Sequence, residues 1–218
     1  MIQIKNHAVA RIVLGFLLAF PSAYASSDNT DTLQQRTFVG NPFAGKNKSR
    51  ICQGCHGVDG NSKDEMIPKL AGQFEGYIAK QMRNYQAGVR SHEIMNGMAA
   101  PLSDKDLDDI SAYFYNQKRM KGNGSTTNAR GKEIFLRGDV PQKVMSCVFC
   151  HGAGGKGVDH NISMYPVIGG QHKAYLIKTL KDFRADDRLN SPSAVMNIYV
   201  RSLSDEDIEA LAEYISAQ

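Results

Sequence analysis

Cys52-Gln53-Gly54-Cys55-His56 is the stretch on which the reading of this chain turns. Two thiols three residues apart, with an imidazole directly after them, have the spacing of c-type haem attachment. Each thiol can add across one haem vinyl group, so the pair brackets one edge of the macrocycle. On a helical turn, the next residue then aims its imidazole at the iron. The pattern recurs at Cys147-Val148-Phe149-Cys150-His151, and the two copies use all four cysteines of the chain. Cys52, Cys55, Cys147 and Cys150 are therefore the expected attachment residues of two covalently bound haem c groups. His56 and His151 are the expected proximal iron ligands.

Cys-x-x-Cys pairs also occur in zinc sites and in thiol–disulfide redox centres. A zinc site would have to join both pairs, which lie farther apart in sequence than structural zinc pairs usually do. A thioredoxin-like centre calls for a single motif within alternating strands and helices, and no such alternation is present. Two copies, each followed by glycine, favour haem.

Working outward from the motifs, a repeat emerges. Pro68-Lys69-Leu70-Ala71-Gly72-Gln73, then Tyr77 and Lys80, follows the first. Pro166-Val167-Ile168-Gly169-Gly170-Gln171, then Tyr175 and Lys178, follows the second. Leu102-Ser103-Asp104-Lys105-Asp106-Leu107 likewise matches Leu203-Ser204-Asp205-Glu206-Asp207-Ile208. The chain reads as a duplicated module, with domains at residues 26–120 and 121–218 and a joint near Arg119 to Asn128.

The expected fold class is all-α: two tandem helical domains, each wrapped around one haem, with no strand required. Ser103 and Ser204 suit N-caps, with Asp106 and Asp207 as capping-box partners. Leu107, Ile110 and Phe114 share one helical face, as do Ile208, Leu211 and Ile215. Middle helices are expected from about Phe74 to Ala87 and from about Lys173 to Asp182. Short helices should precede the motifs, around Phe43 to Ser49 and Ala129 to Arg137. Gly138 to Gln142 adds a loop to the second module, and Gly57 to Asp64 and Gly152 to Ser163 should be loops too. The carboxylates cluster on helix starts, where capping accounts for them.

Residues 1–25 have the make-up of a secretory signal peptide: Lys5 and Arg11, an apolar run from Ile12 to Phe20, and Ala23-Tyr24-Ala25 at the cleavage site. The apolar run is too short to span a bilayer as a helix. The expected location is the periplasm. Of 26 basic side chains two lie in this leader, leaving 24 against 22 acidic ones. No clustered basic face points to nucleic acid. A small module gains an apolar core from its haem, which offsets its limited burial.

The opposite face of each iron needs a second ligand. His92, His160 and His172 are the remaining histidines beyond the leader, and none recurs in both modules, so they read as surface or loop residues. Met95 stands seven residues before Leu102, and Met196 seven before Leu203. Both are expected in the loop leading to the last helix, and both are the expected distal ligands. Met98 faces Tyr199 in the repeat and reads as packing. Met66 and Met164 recur before the prolines and read as core fillers.

Two Cys-x-x-Cys-His motifs, each followed by Pro-x-x-x-Gly-Gln, a methionine and Leu-Ser-Asp, resemble the dihaem cytochrome c4 family over essentially the whole chain beyond the leader. Each half is similar to a class I cytochrome c. The resemblance implies one haem per domain, His/Met ligation and electron delivery to a terminal oxidase. It also implies that Pro68 and Pro166 offer their carbonyls to His56 and His151. The expectation is a periplasmic electron carrier between redox protein partners, with no catalytic residue, touching membranes only through those partners or an uncleaved leader. The rivals are a haem subunit of a sulfide-oxidising flavocytochrome and a dihaem redox enzyme with an exchangeable ligand.

Overall fold

The computed structural model describes residues 40–125, 128–158 and 164–218. The expected leader and His160 lie outside them. Among the described residues, ten α-helices fall into two series of five: α1 (Pro42–Lys48), α2 (Arg50–His56), α3 (Glu75–Gln86), α4 (Glu93–Ala99) and α5 (Asp104–Tyr115), then α6 (Ala129–Arg137), α7 (Val148–His151), α8 (Lys173–Arg184), α9 (Val195–Val200) and α10 (Asp205–Ser216). Among the described residues the only β pairing is one isolated bridge, Asp139 to Val144. The all-α expectation holds.

In each half the first helix packs on the last. Asn41 caps α1 by accepting from the Phe43 and Ala44 N–H groups, and Asn128 caps α6 by accepting from that of Gly131. Gly45 of α1 meets α5 so closely that a Cβ there would overlap the Asp109 carbonyl. Gly131 of α6 stands the same way against the Ala210 carbonyl of α10. Glycine is needed at both crossings because two backbones meet there. Ser103 and Asp106 form the reciprocal capping box of α5. Ser204 accepts from the Asp207 N–H, but the Asp207 carboxylate turns to Arg130 and Gln142.

Leu107, Ile110 and Phe114 are buried in the first core, with Ile78, Met82 and Tyr85 from α3. Ile208, Leu211 and Ile215 are buried in the second, with Leu176, Leu180 and Phe183 from α8. Each such burial contributes about 1.5–3 kcal/mol. A third cluster, Ala71, Phe74, Met120 and Val167, lies on the seam between the halves.

Several boundaries differ from the sequence reading. The first motif lies on a helix of its own, α2, after α1 ends at Lys48; α8 continues to Arg184. The extra loop at Gly138 to Gln142 is pinned rather than free. The Asp139–Val144 bridge closes it, Ser202 donates to the Gln142 carbonyl, and Val144 enters the second core.

Candidate haem sites

His56 ends α2 and His151 ends α7, and both rings are buried, at 7% and 6% exposure. His56 Nδ1 lies 2.8 Å from the Pro68 carbonyl oxygen, and His151 Nδ1 lies 2.9 Å from that of Pro166. A carbonyl can only accept, so each Nδ1 carries the proton and each Nε2 keeps a free lone pair. Burial pushes both imidazoles below the usual histidine range, and the proline carbonyls pull the other way. Both rings are thus neutral nitrogen donors at pH 7.

Cys52 packs against the first core and Cys147 against the second. Burial pushes the Cys52 thiol up, and that of Cys147 up to about 12. Cys150 is also raised by burial, while Cys55 is exposed. One thiol of each pair is therefore seated on apolar side chains and the other lies nearer the surface.

Met95 and Met196 occupy short helices, α4 and α9, rather than loops. The reason is local capping. In α4 the Met95 N–H donates to His92 Nδ1 and the His92 N–H to Asn96 Oδ1; in α9 the Met196 N–H donates to Ser191 Oγ. Each methionine packs against the same core as the inner cysteine of its half. The residue after each is an asparagine that reaches back to two carbonyls. Asn96 donates to Tyr85 and Arg90, and Asn197 to Phe183 and Arg188. These asparagines position the methionine helices. The repeated Met-Asn pair, Met95-Asn96 and Met196-Asn197, is their signal in the sequence.

One smaller expectation fails. Met66 lines the cavity and is half exposed instead of filling a core. His172 does lie in the loop before α8, and it is tied across the seam. Its Nε2 lies 2.9 Å from Ser62 Oγ of the other half.

One continuous cavity of about 500 Å³ runs through both halves. Cys52, Cys55, His56 and Met95 line one end, and Cys147, Cys150, His151 and Met196 the other. Its walls are mainly apolar, as a macrocycle requires. Arg90, Arg188 and Lys80 line the middle. Arg90 donates to Gln81 (2.8 Å) and Tyr175 (3.1 Å), and Arg188 to Tyr77 (3.0 Å) and Asn190 (2.8 Å). Burial acts to raise the Tyr175 phenol, yet the charges of Arg90 and Arg188 bring it down to about 8. Cations held by neutral partners suit the carboxylate edge of a haem. The residues present thus fit the group: a neutral nitrogen, a thioether sulfur, two thiols and a cationic rim in each half.

Two covalent-haem modules on one chain define a tandem c-type cytochrome. A cytochrome c family model matches residues 45–118 and 128–218. The cytochrome c4 of Stutzerimonas stutzeri is 42% identical over 188 residues, covering 81% of this chain and 89% of that protein. A crystal structure of reduced recombinant cytochrome c4 from Pseudomonas stutzeri superposes with a TM-score of 0.76 at 41% identity, covering 82% of this chain and 98% of that one. A thiosulfate dehydrogenase electron acceptor of Stutzerimonas stutzeri (strain A1501) is 33% identical over 170 residues, 76% of this chain and 77% of that protein. The chain belongs to the cytochrome c family, in its cytochrome c4 branch. It is a dihaem electron-transfer cytochrome with two covalently bound haem c groups.

Proposed function

We propose that this protein is a periplasmic carrier that takes electrons from a respiratory redox protein and passes them towards a terminal oxidase, with no catalysis of its own. In this reading Cys52 and Cys55 hold one haem, with His56 and Met95 as its iron ligands. Cys147 and Cys150 hold the other, with His151 and Met196. When bound, each haem supplies an iron that takes up or releases one electron. The polypeptide keeps His56 and His151 neutral and oriented through the proline carbonyls, a contact that also raises ligand basicity. It holds the methionine helices against the same cores and surrounds the site with apolar side chains. A thioether opposite imidazole favours ferrous iron and a high potential.

The observation that carries the reading is the matched pair of methionines, each on the cavity wall and packed against the same core as the inner cysteine of its half. Each bound iron would then have both a histidine and a methionine from the chain, which suits a carrier and would leave no open position for an enzyme. The domains are taken to meet between residues 120 and 121. Met120 bonds through its N–H to Ala71 of the first half, and Gly122 to Gln218 of the second.

The test is an optical redox titration of the purified holoprotein. Two haems, a methionine-to-ferric charge-transfer band and resistance to cyanide and carbon monoxide are expected. Met95→His should keep its haem attached and lower the potential of that site. Ready cyanide binding by one untreated haem would overturn the carrier reading. A second reading, that the donor is a sulfur-oxidising dehydrogenase, is favoured by the likeness to the thiosulfate dehydrogenase electron acceptor. Reduction by such a dehydrogenase with thiosulfate, measured in stopped flow, separates the two donors.

A further inference from the structure

Each half of the molecule reaches into the other with one buried glutamine. Gln73, just before α3, donates from Nε2 to the Val167 carbonyl (2.8 Å) and accepts the Val167 N–H at Oε1 (2.9 Å). Gln171, its counterpart before α8, donates to the Lys69 carbonyl (3.0 Å) and accepts the Lys69 N–H (2.9 Å). The residues so gripped each follow a proline that holds a proximal histidine. The Pro68–Lys69 peptide thus accepts the His56 Nδ1–H at its oxygen and donates to Gln171 at its nitrogen. The Pro166–Val167 peptide does the same between His151 and Gln73.

A peptide group is conjugated. An acceptor on its N–H draws electron density onto its oxygen, so bonds in such a chain strengthen one another. A stronger acceptor on Nδ1–H makes the imidazole more basic at Nε2. A more basic axial nitrogen stabilises ferric over ferrous iron.

We propose that Gln73 and Gln171 are positioning residues that tune the haem of the opposite half, Gln73 through His151 and Gln171 through His56. This rests on the reading of the two histidines as iron ligands. Each glutamine holds the potential of the other half's haem below the value its own ligands would set. The seam is therefore part of both redox centres.

The test compares holoprotein variants Gln73→Met and Gln171→Met. Both haem potentials are measured, together with the Nδ1–H resonances of His56 and His151, assigned by NMR in the ferrous state. Gln73→Met should raise the potential of the haem at Cys147 and Cys150 and move the His151 resonance upfield, leaving the other haem in place. Gln171→Met should do the reverse. Arg119→Ala removes a seam bond to the Lys156 carbonyl (2.8 Å), whose peptide N–H reaches the main-chain carbonyl of His151 but no histidine ring, and should shift neither haem. Shifts confined to the haem of the mutated half overturn the proposal. Equal shifts in both haems, shifts matched by Arg119→Ala, or no shift overturn it as well. If the ferric methionine band persists in every variant while the crossed shift is missing, the tuning fails and the ligand reading stands. Wild-type spectra without histidine ligation overturn the ligand reading itself.

Discussion

Asp109 in the first half and Ala210 in the second stand at the same turn of matching twelve-residue helices. Asp109 is 1% exposed and holds Lys48 Nζ at 2.7 Å, Lys105 Nζ at 2.5 Å and the Asn41 N–H at 2.7 Å. The second half has no carboxylate at that position and pairs its charge elsewhere. There Arg130, partly exposed, bridges Asp207 and Asp139, each at 2.7 Å. What stays fixed between the halves is glycine at the helix crossing, apolar side chains around the haem, and polar groups that hold backbone. Ion pairs have drifted. The frame depends on shape, and the charges need only find partners.

The comparison can be broken most forcefully at its fixed points. Gly45→Val and Gly131→Val should each lower stability by about 3 kcal/mol, because a side chain there overlaps a carbonyl of the last helix. Thermal unfolding of the holoprotein checks this, and tolerance in one half would end the claim of a shared frame.

Asp109→Asn should cost about 2 kcal/mol, the scale of hydrogen bonds to a charged group. Burial raises the Asp109 carboxyl, but Lys105, Lys48 and the Asn41 N–H outweigh it and hold it at about 2. A depressed carboxyl contributes its stability above its unfolded value, near 4, and loses it as pH falls towards 2. Asp106, also held at about 2, acts in the same window, and Asp207 and Asp139 are lowered too. Asp109→Asn should flatten the acid limb of the urea midpoint without abolishing it. An unchanged limb would mean that the buried ion cluster contributes nothing in acid.

The smallest effects sharpen the methionine assignment. Met98→Leu and Met164→Leu should each cost less than about 1.5 kcal/mol and leave both ferric methionine bands intact. Loss of a band in Met98→Leu would place the distal ligand three residues from Met95.

The long helices were legible in the sequence because twelve residues give three turns of apolar period, enough to place Leu107, Ile110 and Phe114 together. Helices α4 and α9 were not. With seven and six residues they have too few turns for a period, and asparagines and caps form them. The cysteines and histidines were legible because haem attachment fixes their spacing, and the paired methionines stood out only through the repeat, each seven residues before a matched leucine. Gln73 and Gln171 were visible as landmarks of the repeat, yet nothing local says that their partners lie about a hundred residues away. The carboxylates were assigned to helix starts, and Asp109 corrects that. It sits in mid-helix, where Lys48 of α1 and the α1 cap residue Asn41 join Lys105 of its own helix, partners invisible to a capping rule.

The reciprocal grip of the two glutamines has a bearing on descent. Residue i touching j while its copy touches the copy of i is the mark of an isologous dimer, in which one substitution is felt twice. A chain fused from two such copies loses that obligation, since each half can mutate alone. Here the glutamines grip Lys69 and Val167 through main-chain atoms alone, so an ammonium side chain and a branched apolar one can stand at matching places without disturbing the contact. Recognition written in peptide groups lets the two halves diverge in sequence while staying joined.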